Sequence, residues 1–104
     1  MKHFLIKYRF QHGSPEAWRE GIQRFIAAVE ADQALNGRIA YRCMKAENGS
    51  NEYYHLAAMA DEAAAKELQQ RDFFKAYTEE TKRVSGGTVE VLRLAVIAET
   101  STRP

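Results

Sequence analysis

Apolar residues along this chain recur first at every second position and then at every third or fourth, and the order of these periods restricts the fold more than anything else in the sequence. Residues 3–10, HFLIKYRF, place Phe4, Ile6, Tyr8 and Phe10 on one side of a strand and His3, Leu5, Lys7 and Arg9 on the other. From 15 to about 33 the repeat becomes helical, with Trp18, Ile22, Phe25, Ile26 and Val29 on one stripe. Ser14 offers an N-cap, Pro15 a pre-set first turn, and Asn36-Gly37 a stop. Two further alternating segments, 38–46 and 52–59, flank the turn-forming run Glu47-Asn48-Gly49-Ser50-Asn51, as a hairpin requires. Asp61 caps a second helical region, whose stripe of Ala64, Leu68, Phe74 and Tyr77 changes phase near Gln70-Arg71-Asp72. That predicts a short helix, a bend and another helix to about Val84. Ser85-Gly86-Gly87 ends it, and residues 89–99 read as a last strand.

The order β-α-β-β-α-β is that of an α+β, ferredoxin-like sandwich with an antiparallel sheet, here one domain over residues 1–104. Two helices cover one face of such a sheet and leave the other open. Assigning the more uniformly apolar register of each strand to the helices leaves an open face of Leu5, Lys7, Arg9, Ala40, Arg42, Met44, Tyr53, His55, Ala57, Met59, Val91, Arg93, Ala95 and Ile97. Its apolar members, Leu5, Met44, Met59, Val91 and Ile97, call for a cover. A homodimer packed sheet to sheet is the expected one.

Arg9, Arg42 and Arg93, with Lys7 behind them, are the expected substrate-binding cations, since an Arg fork suits a carboxylate or phenolate. The plainer alternative pairs these side chains with Glu52, Glu90 or Glu99. His55, at mid-strand, and Tyr53 are the candidates for moving a proton. A structural histidine bonded to a tyrosine or carboxylate is the competing reading of His55. Cys43 reads as a small buried hydrophobe, and of Phe73 and Phe74 only one can face the sheet squarely.

Net charge is +1 with the basic residues spread from Lys2 to Arg103, so a nucleic-acid footprint is not expected, and residues near Tyr53 lack the pattern of RNA-recognition strands. No histidine pair has the spacing of a metal site, no Gly-rich phosphate loop precedes a helix, and no cofactor is expected. The start, MKHFLIKYRF, does not read as a secretory signal and no run is long enough to cross a bilayer, which favours a cytoplasmic protein without membrane contact.

The strand EYYHLAAMAD (52–61) running into EAAAKELQQRDFFKAYTEETKRVSGG (62–87) resembles the antibiotic-biosynthesis-monooxygenase-like group of dimeric α/β-barrel proteins. Ala64, Leu68, Phe73, Phe74 and Tyr77 stand in the positions that carry the likeness. The resemblance implies a dimeric α/β barrel and a monooxygenase-like oxidoreductase, a cofactor-independent oxygenase in which the anion of a small hydroxylated aromatic compound reacts with oxygen directly. In that reading Arg9, Arg42 and Arg93 hold the anion, and His55 or Tyr53 handles a proton. A non-catalytic small-ligand-binding or stress-associated dimer of the same fold is the alternative. Many members carry a histidine where Leu68-Gln69-Gln70-Arg71 stand here, and the haem-degrading branch uses a first-strand asparagine that this chain lacks.

Overall fold

The structure is a computed structural model that describes residues 1–101; Thr102, Arg103 and Pro104 lie outside the described residues. Elements follow the expected order: β1 (Lys2–Arg9), α1 (Pro15–Ala31), β2 (Ile39–Lys45), β3 (Glu52–Met59), α2 (Glu62–Gln69), α3 (Asp72–Ser85) and β4 (Glu90–Leu94). The strands form an antiparallel sheet in the order β2-β3-β1-β4, which is the ferredoxin-like arrangement. Each helical crossover therefore passes over a strand that lies between the two it connects.

Local chemistry explains the element ends. The Ser14 hydroxyl accepts from the Ala17 N–H at 3.2 Å with Pro15 opening the helix, and Asp61 accepts from the Ala64 N–H at 2.8 Å. α1 stops at Ala31, two residues short of expectation, because Asp32 leaves the helical conformation and its carboxylate accepts from the Ala34 N–H. Arg71, in the break between α2 and α3, grips the same carboxylate through Nε at 2.7 Å and a second nitrogen at 3.3 Å. The bend read from the phase change is thus tied to the end of α1. β4 ends at Leu94, well before residue 99, since Leu94 pairs with His3 and β1 begins only one residue earlier.

The expected stripe of α1 is buried at Trp18, Ile22, Phe25 and Val29, packing on the sheet in two groups. Phe25, Val29, Leu35, Ala57, Met59 and Leu68 fill one end of the layer. Tyr8, Phe10, Trp18, Ile22, Tyr53 and Val84 fill the other. Burial of such side chains contributes roughly 1.5–3 kcal/mol each.

Two strands face the opposite way from the sequence expectation. Cross-strand partners share a face, and Tyr8↔Tyr53, Ile6↔His55 and Phe4↔Ala57 put Tyr53, His55, Ala57 and Met59 under the helices. Tyr54, Leu56 and Ala58 turn to the open side. On β4, Ile6↔Val91 and Phe4↔Arg93 bring Val91 and Arg93 to the helix side, while Leu92 and Leu94 join the open face. Both strands carry apolar residues in both registers, so apolar content alone could not choose between them.

Gly86 ends α3 in the left-handed region (φ 62°), where its αL cap places the chain so that β1's continuation can bond to the helix end: Gln11 N–H and His12 N–H both donate to the Val84 carbonyl, at 2.7 and 3.0 Å. A Cβ at Gly86 would sit 3.2 Å from the Gln11 amide oxygen. Gly86→Ala is expected to lower stability by about 1–2 kcal/mol, read from the urea midpoint, by forcing a side chain into the left-handed region.

Candidate functional site

Between the helix side of the sheet and α3 lies a cavity of about 400 Å³. Phe4, Ile6 and Ile39 line it from the sheet, Phe25 from α1, Leu68 from α2, and Phe74 and Tyr77 from α3. Exposed Val91 and Lys82 mark its opening between β4 and α3. The wall is mostly apolar; Tyr41, His55 and Tyr77 form a hydrogen-bonded polar cluster in it, while Gln69, Thr78 and Thr81 also line it, the two threonine hydroxyls donating to the Phe74 and Tyr77 carbonyls. Of the adjacent phenylalanines, Phe74 reaches the cavity, and Phe73 packs toward Phe25 at 6.0 Å between ring centres.

His55 exposes no surface to solvent, yet both ring nitrogens are engaged. The Tyr8 hydroxyl lies 2.8 Å from Nε2 and the Tyr41 hydroxyl 2.5 Å from Nδ1, with the Tyr77 hydroxyl 3.2 Å from the same nitrogen. Tyr41 and Tyr77 are 3.0 Å apart, and the Trp18 indole N–H donates to Tyr8 at 2.7 Å. The three strands β1, β2 and β3 and the helices α1 and α3 therefore meet at one imidazole. Ring packing holds the lids in place: Tyr77 stacks on Phe25 at 3.9 Å and on Trp18 at 5.6 Å.

Burial sets the charge state. It pushes the His55 pKa down to about 4 and raises those of Tyr8, Tyr41 and Tyr77 far above the ordinary phenol value. At neutral pH the imidazole and the three phenols are all uncharged. Cys43, on the same face of β2, is pushed up to about 12 by burial and stays a thiol, in keeping with a packing role.

The candidate residues of the sequence separate into two groups. His55 lies in the cavity wall and is bonded to tyrosines, as the structural reading of it anticipated. Tyr53 shares its face but is buried away from the cavity, stacked on Tyr8 at 5.3 Å with the Lys45 ammonium over its ring. Arg93 lies on the helix side as well, its guanidinium 5.7 Å from the ring of Phe4. Lys7, Arg9 and Arg42 are on the far face of the sheet, and Lys7 pairs there with Glu90 at 3.8 Å. The expected cluster of cations around His55 is therefore divided by the sheet, because β3 and β4 both take the opposite register.

Tyr8, Tyr41, Tyr77 and Trp18 are the polar partners that sequence reasoning passed over. Their signal was present: each places a donor on a core-facing position, and a buried O–H or N–H needs a mate.

No family model matches the sequence, and no curated protein matches it. Solved structures do. SnoaB, a cofactor-independent oxygenase from Streptomyces nogalater, superposes with a TM-score of 0.77 at 16% identity over 97% of both chains. This chain has the fold of the antibiotic-biosynthesis-monooxygenase-like proteins. Rv0793 of Mycobacterium tuberculosis matches with a TM-score of 0.76 at 15% identity, covering 96% of this chain and 98% of that one. A candidate antibiotic biosynthesis monooxygenase from Caulobacter crescentus matches with 0.77 at 16% identity over 93% and 90%.

A neutral buried histidine makes stability depend on pH with a definite sign. The unfolded chain takes up a proton at His55 below its ordinary value of 6.5, and the folded one only near 4. The folded state is thus penalised as pH falls through that window and not above it. Between pH 7 and pH 5 the wild type is expected to lose about 2 kcal/mol more than a His55→Gln variant, measured by urea unfolding of both. Parallel pH slopes for the two proteins would contradict a neutral His55.

Proposed function

We propose that the chain is a small cofactor-independent oxygenase whose substrate, a hydroxylated aromatic compound, occupies the cavity between the sheet and α3. The observation that carries this reading is the combination of a mostly apolar wall with the hydrogen-bonded cluster of Tyr41, Tyr77 and His55 set into it. Such a site takes an aromatic body by burial and orients it through one oxygen. The shared fold with an oxygenase supports the reaction type.

In the reaction proposed, the ionised substrate supplies the electrons and dioxygen accepts them. A ring carbon bearing hydrogen forms a bond to oxygen; loss of that hydrogen as water with the second oxygen atom leaves a quinone carbonyl. The balance is one phenol and one O2 to one quinone and one water. A tyrosine hydroxyl aimed at the substrate oxygen stabilises its negative charge, and the apolar wall keeps solvent from the reactive anion. This assigns the anion to tyrosine hydroxyls rather than to Arg9, Arg42 and Lys7, which the sheet separates from the cavity.

Two copies are proposed to pack through their open sheet faces. Met44, Leu56, Leu92 and Leu94 are each about two-fifths exposed there, and Ile97, beyond the end of β4, is 97% exposed. Lys7, Arg9 and Arg42 share the face with Glu52 and Glu90, a mixture of signs that suits a self-complementary contact.

Incubation with reduced bicyclic and tricyclic phenols under 18O2 is expected to yield a quinone carrying one labelled oxygen, detected by mass spectrometry. Saturable binding with no labelled product would leave a ligand-binding protein in place of an oxygenase. Native mass spectrometry is expected to give a dimer that Leu56→Lys converts to a monomer; a monomeric wild type would end the sheet-to-sheet proposal.

A further inference from the structure

Proton counting around His55 says what kind of oxygen the cavity accepts. Trp18 Nε1 can only donate, and its mate is the Tyr8 oxygen. The Tyr8 hydroxyl is buried, and its one remaining partner among the described residues is His55 Nε2. If Nε2 carried the imidazole proton, Tyr8 would receive two donors and its own O–H would be left without an acceptor inside the core. That arrangement carries the full cost of a buried unpaired donor. If Nδ1 carries it instead, Tyr8 donates to Nε2 and every deep group is satisfied.

The second arrangement has a consequence at the cavity. An Nδ1 that bears hydrogen has no lone pair in the ring plane, so neither Tyr41 nor Tyr77 can donate to it. The tyrosines share one short contact with each other, at 3.0 Å, which uses one hydroxyl proton. They own two. The surplus proton belongs to a residue of the cavity wall, since both rings line it.

We infer that the Tyr41–Tyr77 pair presents one uncommitted hydroxyl donor to the cavity, and that the site therefore selects a ligand carrying an acceptor oxygen, a ketone or quinone carbonyl or a phenolate. The inference rests on the cavity being the ligand site proposed above, and it narrows the ligand class. Tyr41 accepts from Nδ1 at 2.5 Å and donates its own O–H to the Tyr77 oxygen, so the Tyr77 hydroxyl is the one left to meet the ligand.

The test uses the full chain and two bicyclic probes that differ only in a carbonyl group, 1-tetralone and tetralin. 1-Tetralone is expected to bind roughly three- to tenfold more tightly, the worth of one hydrogen bond, and its carbonyl band is expected to move to lower wavenumber in the infrared. In parallel, nitrogen-15 NMR of the histidine ring is expected to show hydrogen on Nδ1 of His55. Equal affinities with an unshifted carbonyl band, or hydrogen on Nε2, would overturn the inference while leaving the cavity as a binding site. Failure of both probes to bind would remove the cavity reading itself, and this inference with it.

Discussion

A single imidazole, sealed from solvent and bonded through both nitrogens to tyrosines of β1, β2 and α3, is the contact on which the remaining architecture turns. Buried polar groups are costly when unpaired and strongly directional when paired. Only one relative placement of β1, β2, β3, α1 and α3 brings Tyr8, Tyr41, His55, Trp18 and Tyr77 within bonding distance together. The network thereby specifies strand register, which apolar packing on these strands leaves open. All its members are uncharged at neutral pH, so it avoids the larger penalty of a buried ion.

The same network shapes the candidate site. Tyr77 is held from two sides, by hydrogen bonds at its hydroxyl and by stacking on Phe25 and Trp18 across its ring. Its neighbours on α3 turn toward the sheet without filling the space beneath, and the cavity is what remains. α3 is anchored at both ends, by the Arg71–Asp32 pair at its start and by the Val84 carbonyl and Gly86 at its finish. The site thus sits on braced elements rather than on loops, the condition under which a hydroxyl can be aimed at a ligand.

On the other side of the sheet, charge and apolar surface are combined differently. Lys7, Arg9 and Arg42 stand among Leu5, Met44, Leu56, Leu92 and Leu94, with Glu52 and Glu90 close by. The sheet separates a face with a mostly apolar cavity, which suits a small aromatic molecule, from a mixed face that suits a protein surface. His55 alternates with Arg9 and Arg42 along neighbouring strands, and only pairing across strands reveals that they point apart.

Period, caps and turns were legible from the sequence because each is decided within a few residues. The stripe Trp18, Ile22, Phe25 and Val29, the caps at Ser14 and Asp61, the hairpin after Lys45 and the break at Arg71 all follow from local chemistry. Together with the β-α-β-β-α-β order they determine the ferredoxin-like fold. The inward faces of β3 and β4 were decided only in the folded molecule. A strand repeats every two residues, so a change of face moves every side chain at once, and both faces of these strands carry apolar residues. On β3, what breaks that near-symmetry is the demand of His55 for hydrogen-bond partners, and those lie 47, 14 and 22 positions away in the chain; on β4 it is the pairing with β1. No local pattern can express a requirement met at such distances.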